Sequence, residues 1–343
     1  MQDALFVVHV TIKDIAAATG VHHSTVSRAL AGHPHIAEAT RIKVQEAAER
    51  LGYRKHPLLS ALAAYRKDSK PGQDSTTIAY ISNWPGNRVP DLHWGQLEYF
   101  PAAKERAEAL GYRLEEFSLS HDGMTPRRLS AILKARGVCG IIVQDSPHTG
   151  PADFEGFEFN AFACVAIGYS LLYPRIPSVA HSAYASMKNA LLHLLESGYK
   201  KPLLLLFAWQ DDRVENQWQD SFVPHSARLG LDGDLLLLPN EKNVSDEVFK
   251  AIRHHQPDVI ITYSNDILQK AAKSYYKEKH LEPPLMAILN KGLPGNKSSG
   301  INQRLDIVGQ KAVDIVVSHL LRREFGTISE AISMQVAGAW EDL

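Results

Sequence analysis

The sequence predicts an α/β protein with a small all-α head: a three-helix module at the N-terminus, then two lobes built on parallel sheets. Three observations carry this expectation. Short amphipathic segments punctuated by glycine and proline fill residues 11 to about 52, a polar stretch rich in Lys, Asp, Ser, Gly and Pro follows at 66–76, and from Thr77 onward apolar strand runs alternate with helical periodicity in two successive rounds. At 343 residues the chain exceeds the usual size of one domain, which fits a small module joined to a larger one. The expected boundaries are 10–65 for the head and its hinge, 66–76 for a linker, and 77–343 for the two-lobed domain.

Composition narrows the class before any motif does. Apolar residues at 45% and charged residues at 22% are ordinary globular usage, so disorder and fibrous architectures are excluded. The net charge of −1 hides an asymmetry, because residues 11–70 carry ten Lys/Arg against five Asp/Glu. A polyanion is therefore expected at the N-terminal end. Cys139 and Cys164 each lie in a short apolar run, which reads as buried thiols in a reducing cytoplasm and not as a disulfide framework or metal site. The apolar stretch Ala4 to Val8 is too short for a signal-peptide core, and no run approaches a membrane span, so a soluble cytoplasmic protein is expected.

The head begins at Thr11, which precedes Ile12, Ile15, Ala16 and Thr19 on one helical side, with Asp14 as a capping-box partner and Gly20 as the stop. Val21 packs inward. A second short helix over 22–30 turns Val26, Ala29 and Leu30 toward the first and keeps its other side polar, small and basic. Gly32 and Pro34 break the chain, and a third helix over 37–51 buries Val44, Ala47, Ala48 and Leu51 before Gly52. Together these read as a helix-turn-helix core. His22, His23, His33 and His35 are poor metal ligands as a set, since adjacent helical residues point about 100° apart and no cysteine joins them.

In this stretch the chain resembles the lactose-repressor/galactose-repressor (LacI/GalR) family of transcription regulators. The resemblance rests on Thr-Ile-Lys-Asp-Ile-Ala from Thr11, Gly20-Val21, Thr25-Val26-Ser27-Arg28-Ala29-Leu30, Thr40-Arg41-x-Lys43-Val44 and Leu51-Gly52-Tyr53. It implies that the second helix enters the major groove of operator DNA, with His23, Ser24 and Arg28 against base edges and Thr25 and Ser27 near phosphates or bases. Thr11, His22 and His35 complete the interface. Arg can donate a bidentate pair to guanine, so Arg28 is expected to carry the sharpest discrimination. His22 and Ala37 stand where the family usually has capping serines, which predicts softer starts for both helices. After Tyr53 the resemblance implies a hinge segment that pushes Leu62 into the minor groove, although its neighbours Lys55 to Ala61 depart from the family pattern. Leu58, Leu59 and Leu62 are equally suited to a dimer seam.

Beyond the linker, strands are predicted at 78–82, 112–117, 140–143, 164–167, 203–207, 235–238, 259–262, 285–289 and 332–336, and helices at 99–110, 126–136, 183–196, 246–255, 267–279 and 307–321. Two α/β lobes with a return of the chain between them imply a periplasmic-binding-protein-like clamshell, whose cleft lies at strand C-terminal ends. The family resemblance continues thinly through Arg136-Gly137-Val138, Asn265-Asp266 and Gly300 to Arg304. A polar ligand such as a sugar needs carboxylate, amide, guanidinium and aromatic groups there. The residues that meet this description are Trp84, Gln144, Arg213, Trp218, Asn265 and Asp266, although Asn265 also suits a helix cap and both tryptophans suit a core or lid.

Catalysis is disfavoured, because no nucleophile elbow, His-Glu-x-x-His or phosphate-binding loop is present; Gly292 to Ser299 only imitates the last. No cofactor is expected. The expected partners are pseudo-palindromic double-stranded operator DNA, a small-molecule effector of which a sugar is one candidate, and a second copy of the chain. No apolar heptads occupy Gly338 to Leu343, which argues against a coiled-coil tetramerisation tail.

Overall fold

A computed structural model describes residues 10–30, 33, 35–53, 76–82, 94–120, 123–145, 154–171, 173–263, 267–291, 298–330 and 332–342. Leu62, Trp84, Asn265 and Asp266, with most of the linker and of the phosphate-loop imitation, lie outside these residues. The chain divides into two compact units, Met1–Lys70 and Pro71–Leu343.

In the first unit, α1 (Ile12–Thr19), α2 (His23–Leu30) and α3 (Glu38–Arg50) enclose Ile15, Val26, Ala29, Val44, Ala47 and Ala48. The backbone N–H and the hydroxyl of Thr11 both donate to the Asp14 carboxylate at 2.7 Å, which fixes the entry to α1. The hydrogen bond from the Thr11 backbone is the leading reason that the Asp14 carboxyl sits below the usual carboxylate range. Gly20 closes α1 in the left-handed region at φ 67°, where a side chain would be strained, and so turns the chain sharply toward α2.

In the second unit the described strands form two six-stranded sheets. The first runs β11-β5-β4-β3-β1-β2, with β1 Thr77–Ser82, β2 Arg113–Ser118, β3 Gly140–Val143, β4 Ala163–Ile167, β5 Ser178–Ser182 and β11 Ser333–Ala337, all parallel. The second runs β12-β10-β9-β8-β6-β7, with β6 Pro202–Phe207, β7 Asp234–Leu238, β8 Val259–Thr262, β9 Leu285–Ile288, β10 Gly300–Asn302 and β12 Ala339–Glu341; only the β10–β12 pair is antiparallel.

Strands such as β1, β3, β4, β6 and β8 are almost wholly apolar because both faces are covered. In β1, Ile78 and Tyr80 pack on one side of the sheet while Ala79 and Ile81 pack on the other, and β6 divides Leu204 and Leu206 from Leu203, Leu205 and Phe207 in the same way. In the first lobe the covering helices are α4 (Trp94–Ala109), α5 (Pro126–Ala135) and α11 (Leu305–Arg322). In the second they are α6 (Ala183–Glu196), α8 (Gln217–Leu229), α9 (Val244–His255) and α10 (Ile267–Glu278), with the short α7 (Ala208–Asp212) between β6 and α8. Helix α11 lies against α4 so closely that a Cβ on Gly309 would stand 2.3 Å from the Tyr99 carbonyl oxygen.

The chain passes between lobes three times, from β5 into α6, from β10 into α11, and from β11 into β12. This corrects two expectations. A buried strand of the first sheet, Ser178–Ser182, is absent from the predicted strands, because Ser-Val-Ala-His-Ser has neither an apolar run nor clean alternation. The C-terminal end, read only for the absence of heptads, supplies the last strand of the second sheet.

Candidate functional site

On α2 the side chains sort cleanly. Val26 and Ala29 are buried against the rest of the head, whereas His23, Ser27 and Arg28 are exposed and Ser24 and Thr25 half-buried. His23 and Ser27, like Ser24 and Arg28, are four apart and share a face, so one helix surface presents imidazole, hydroxyls and guanidinium together. His22 stands at the start of α2, and its carbonyl accepts from the Thr25 and Val26 backbone N–H groups at 2.8 and 3.0 Å. Its ring Nδ1 accepts from the Ser24 backbone N–H at 3.4 Å and lies 2.8 Å from Ser24 Oγ, so the imidazole stands in for the capping serine and also holds the Ser24 hydroxyl. The His22 and His23 rings meet at 4.1 Å, and the His33 and His35 rings at 5.3 Å beyond the end of α2. His35 is exposed.

In the two-lobed unit, strand C-terminal ends from both sheets come together through side chains. Asp145, two residues after β3, takes a 2.7 Å ion pair with Arg213, the residue that ends α7 after β6. Tyr169, beyond β4, donates its hydroxyl to the His181 carbonyl at 2.8 Å. Gln144 is buried, and its Oε1 has no hydrogen-bond partner among the described residues, which is also true of Tyr80 Oη and Thr262 Oγ1. A buried polar atom of this kind is costly without a partner.

Trp218 does not offer a ring face to a ligand. It is fully buried in the second-lobe core, with its indole N–H donating to Tyr263 Oη at 3.1 Å and its ring 5.5 Å from that of His181. The reading of Trp218 as a cleft residue is thereby corrected; it begins a helix that was not predicted, because Gln217–Leu229 contains Pro224 and a polar first turn. The buried carboxylate of Asp211 accepts from the Trp218 and Gln219 backbone N–H groups and so fixes the start of that helix, while desolvation raises its pKa. Burial likewise pushes the Tyr263 phenol up to about 12. Cys139 and Cys164 are free thiols, raised by burial to about 11 and about 12.

Of the residues gathered at these strand ends, Gln144 and Arg213 are among the sequence-predicted ligand candidates, whereas Asp145, Tyr169 and His181 are not. Asp145 was legible as a carboxylate following a strand; the others depend on which strands are neighbours.

Residues 11–56 match the family described as bacterial regulatory proteins, lacI family. The helix-turn-helix head is thus a LacI-family module. Catabolite control protein A of Priestia megaterium is 44% identical over 84 residues, 24% of this chain and 21% of that protein, so the match spans about a fifth of the relative's length. The architecture of the chain is similar to that of the Lac repressor bound to ONPG in its repressed state, with a TM-score of 0.54, 18% identity and coverage of 97% of this chain and 98% of that one. It is also similar to the transcriptional regulator CelR–cellobiose complex, with a TM-score of 0.53, 16% identity and coverage of 97% and 98%. At these identities the likeness to both structures is one of fold.

Proposed function

We propose that this chain is a LacI-family, sequence-specific DNA-binding transcription regulator. The observation that carries the reading is the sorting of α2, which buries Val26 and Ala29 and leaves His23, Ser27 and Arg28 exposed on a helix whose sequence matches the family's own head. Arg28 would read a guanine edge, while His23, Ser24, Thr25 and Ser27 would contribute looser base and phosphate contacts. Thr11, His22 and His35 would flank them, and Leu62 would act as the minor-groove wedge that the resemblance implies. Two copies would read the halves of a pseudo-palindrome, as a two-fold homodimer in the cytoplasm.

A small polar effector in the interlobe cleft would shift operator affinity by favouring one arrangement of the lobes. Gln144 and Arg213 are the described residues that support such a site, and Trp84, Asn265 and Asp266 belong to it on sequence grounds. A carbohydrate effector is favoured by the cellobiose complex of the CelR relative in fold and by the polar groups at the strand ends. The reading needs no catalytic step.

Selection of bound sequences from random duplex DNA tests it. Enrichment of a symmetric motif is the expected outcome, and a folded dimer that enriches nothing would overturn the regulator reading. Thermal-shift titration with mono- and disaccharides tests the effector, since a ligand at about 100 times its Kd stabilises by about 2.7 kcal/mol. A flat response across the panel would sink the carbohydrate assignment.

A further inference from the structure

We propose that Asp145 and Arg213 form an electrostatic latch by which the chain's own side chains hold the two lobes together across the cleft. The pair joins one lobe to the other: Asp145 leaves the C-terminal end of β3 in the first sheet, and Arg213 follows β6 of the second. Its Nη2–Oδ2 distance of 2.7 Å is that of a charge-assisted hydrogen bond, and both side chains are only about a fifth exposed, at 20% and 19%. Solvent screening is therefore much weaker than at an open surface, where such pairs contribute little.

The backbone is shaped to admit this carboxylate. Gly168, just past β4, has φ 79°, and a Cβ there would lie 2.7 Å from Asp145 Cγ and 2.9 Å from its Oδ1. Any side chain at 168 would drive Asp145 away from its place, so the turn that leaves β4 is cut to fit the latch. The next residue, Tyr169, ties the same turn to the neighbouring strand of its sheet, since its hydroxyl donates to the His181 carbonyl at 2.8 Å.

The latch concerns the cleft assigned above to an effector, but it depends on neither DNA nor a ligand, so its test is read at backbone amides and in overall dimensions. Hydrogen exchange and small-angle scattering would be measured on the full chain as wild type, Asp145→Asn, Arg213→Gln and the double variant, with Arg213→Lys keeping the charge without the planar fork. Each neutral single variant is expected to exchange about tenfold faster at Gly168, Tyr169 and Val214 and to show a larger radius of gyration, with Arg213→Lys intermediate. The double variant should be no worse than either single one, because each removes the same interaction. Wild-type exchange rates and dimensions in both single variants, or additive effects in the double, would overturn the latch.

Discussion

Acidification should weaken the two-lobed unit through one buried imidazole. His181 is 5% exposed where the chain first crosses between lobes, and burial lowers its pKa from 6.5 to about 3. Ser186 fixes its tautomer. The Ser186 hydroxyl donates to the Ser182 carbonyl at 2.7 Å and accepts from the Gly338 N–H at 2.7 Å, so the 2.8 Å contact with His181 Nε2 is a ring N–H donating to its remaining lone pair. In the unfolded chain His181 takes up a proton below about pH 6.5, whereas the folded ring resists until about pH 3. The stability contributed by this neutral ring is therefore fully present above pH 6.5 and is lost as pH falls toward 3. Between about pH 7.5 and about pH 4.5 the loss integrates to roughly 2.7 kcal/mol, at about 1.4 kcal/mol per pH unit below the unfolded value. Urea unfolding of wild type and His181→Gln at the two pH values isolates this group from the carboxylates, which are common to both. Wild type should lose about 2–3 kcal/mol more than the variant. Equal losses would refute the argument.

Ser186→Ala leaves the Gly338 N–H and the His181 ring N–H buried without a partner, at about 1–3 kcal/mol each, and should lower the urea midpoint clearly; an unchanged midpoint would contradict the crossover geometry. Gly309→Ala brings a methyl group to 2.3 Å from the Tyr99 carbonyl oxygen and must spread α4 from α11. A cost of about 1–3 kcal/mol is expected in calorimetry, and a variant as stable as wild type would count against the close crossing. Ile15→Ala empties the centre of a small core and should cost about 2–4 kcal/mol, melting the head before the two-lobed unit in a circular-dichroism scan. A single transition at the wild-type temperature would argue against an independent head.

What could be read from the sequence follows from how each part is buried. Strands such as Gly140–Val143 and Val259–Thr262 are covered on both faces, so they stand out as short apolar runs, and α6 and α9 announce themselves by periodicity. The strands Gly300–Asn302 and Ala339–Glu341 are three residues each and leave no such trace. Site residues were harder. Strand-end logic selects Gln144 and Arg213, which do lie beyond strand ends, but the same logic selects Trp218, which the unforeseen helix turns into the core. Asp145 became meaningful only when two strands 60 residues apart in sequence were seen to deliver their ends to one place, as the ion pair with Arg213 records across a separation of 68 residues. In the head the motif itself carried the reading, since the spacing of Ile15, Val26, Ala29 and Val44 sets the core and thereby the face that remains polar.

The most direct test of the central claim is binding of wild type and Arg28→Ala to the selected duplex and to its single-base variants, followed by fluorescence anisotropy at fixed salt. If α2 reads the major groove through Arg28, the variant should lose about 1–3 kcal/mol of discrimination at one guanine position in each half-site and keep its preferences elsewhere. An Arg28→Ala protein that discriminates at every position as the wild type does would contradict the assignment of α2 as the reading helix.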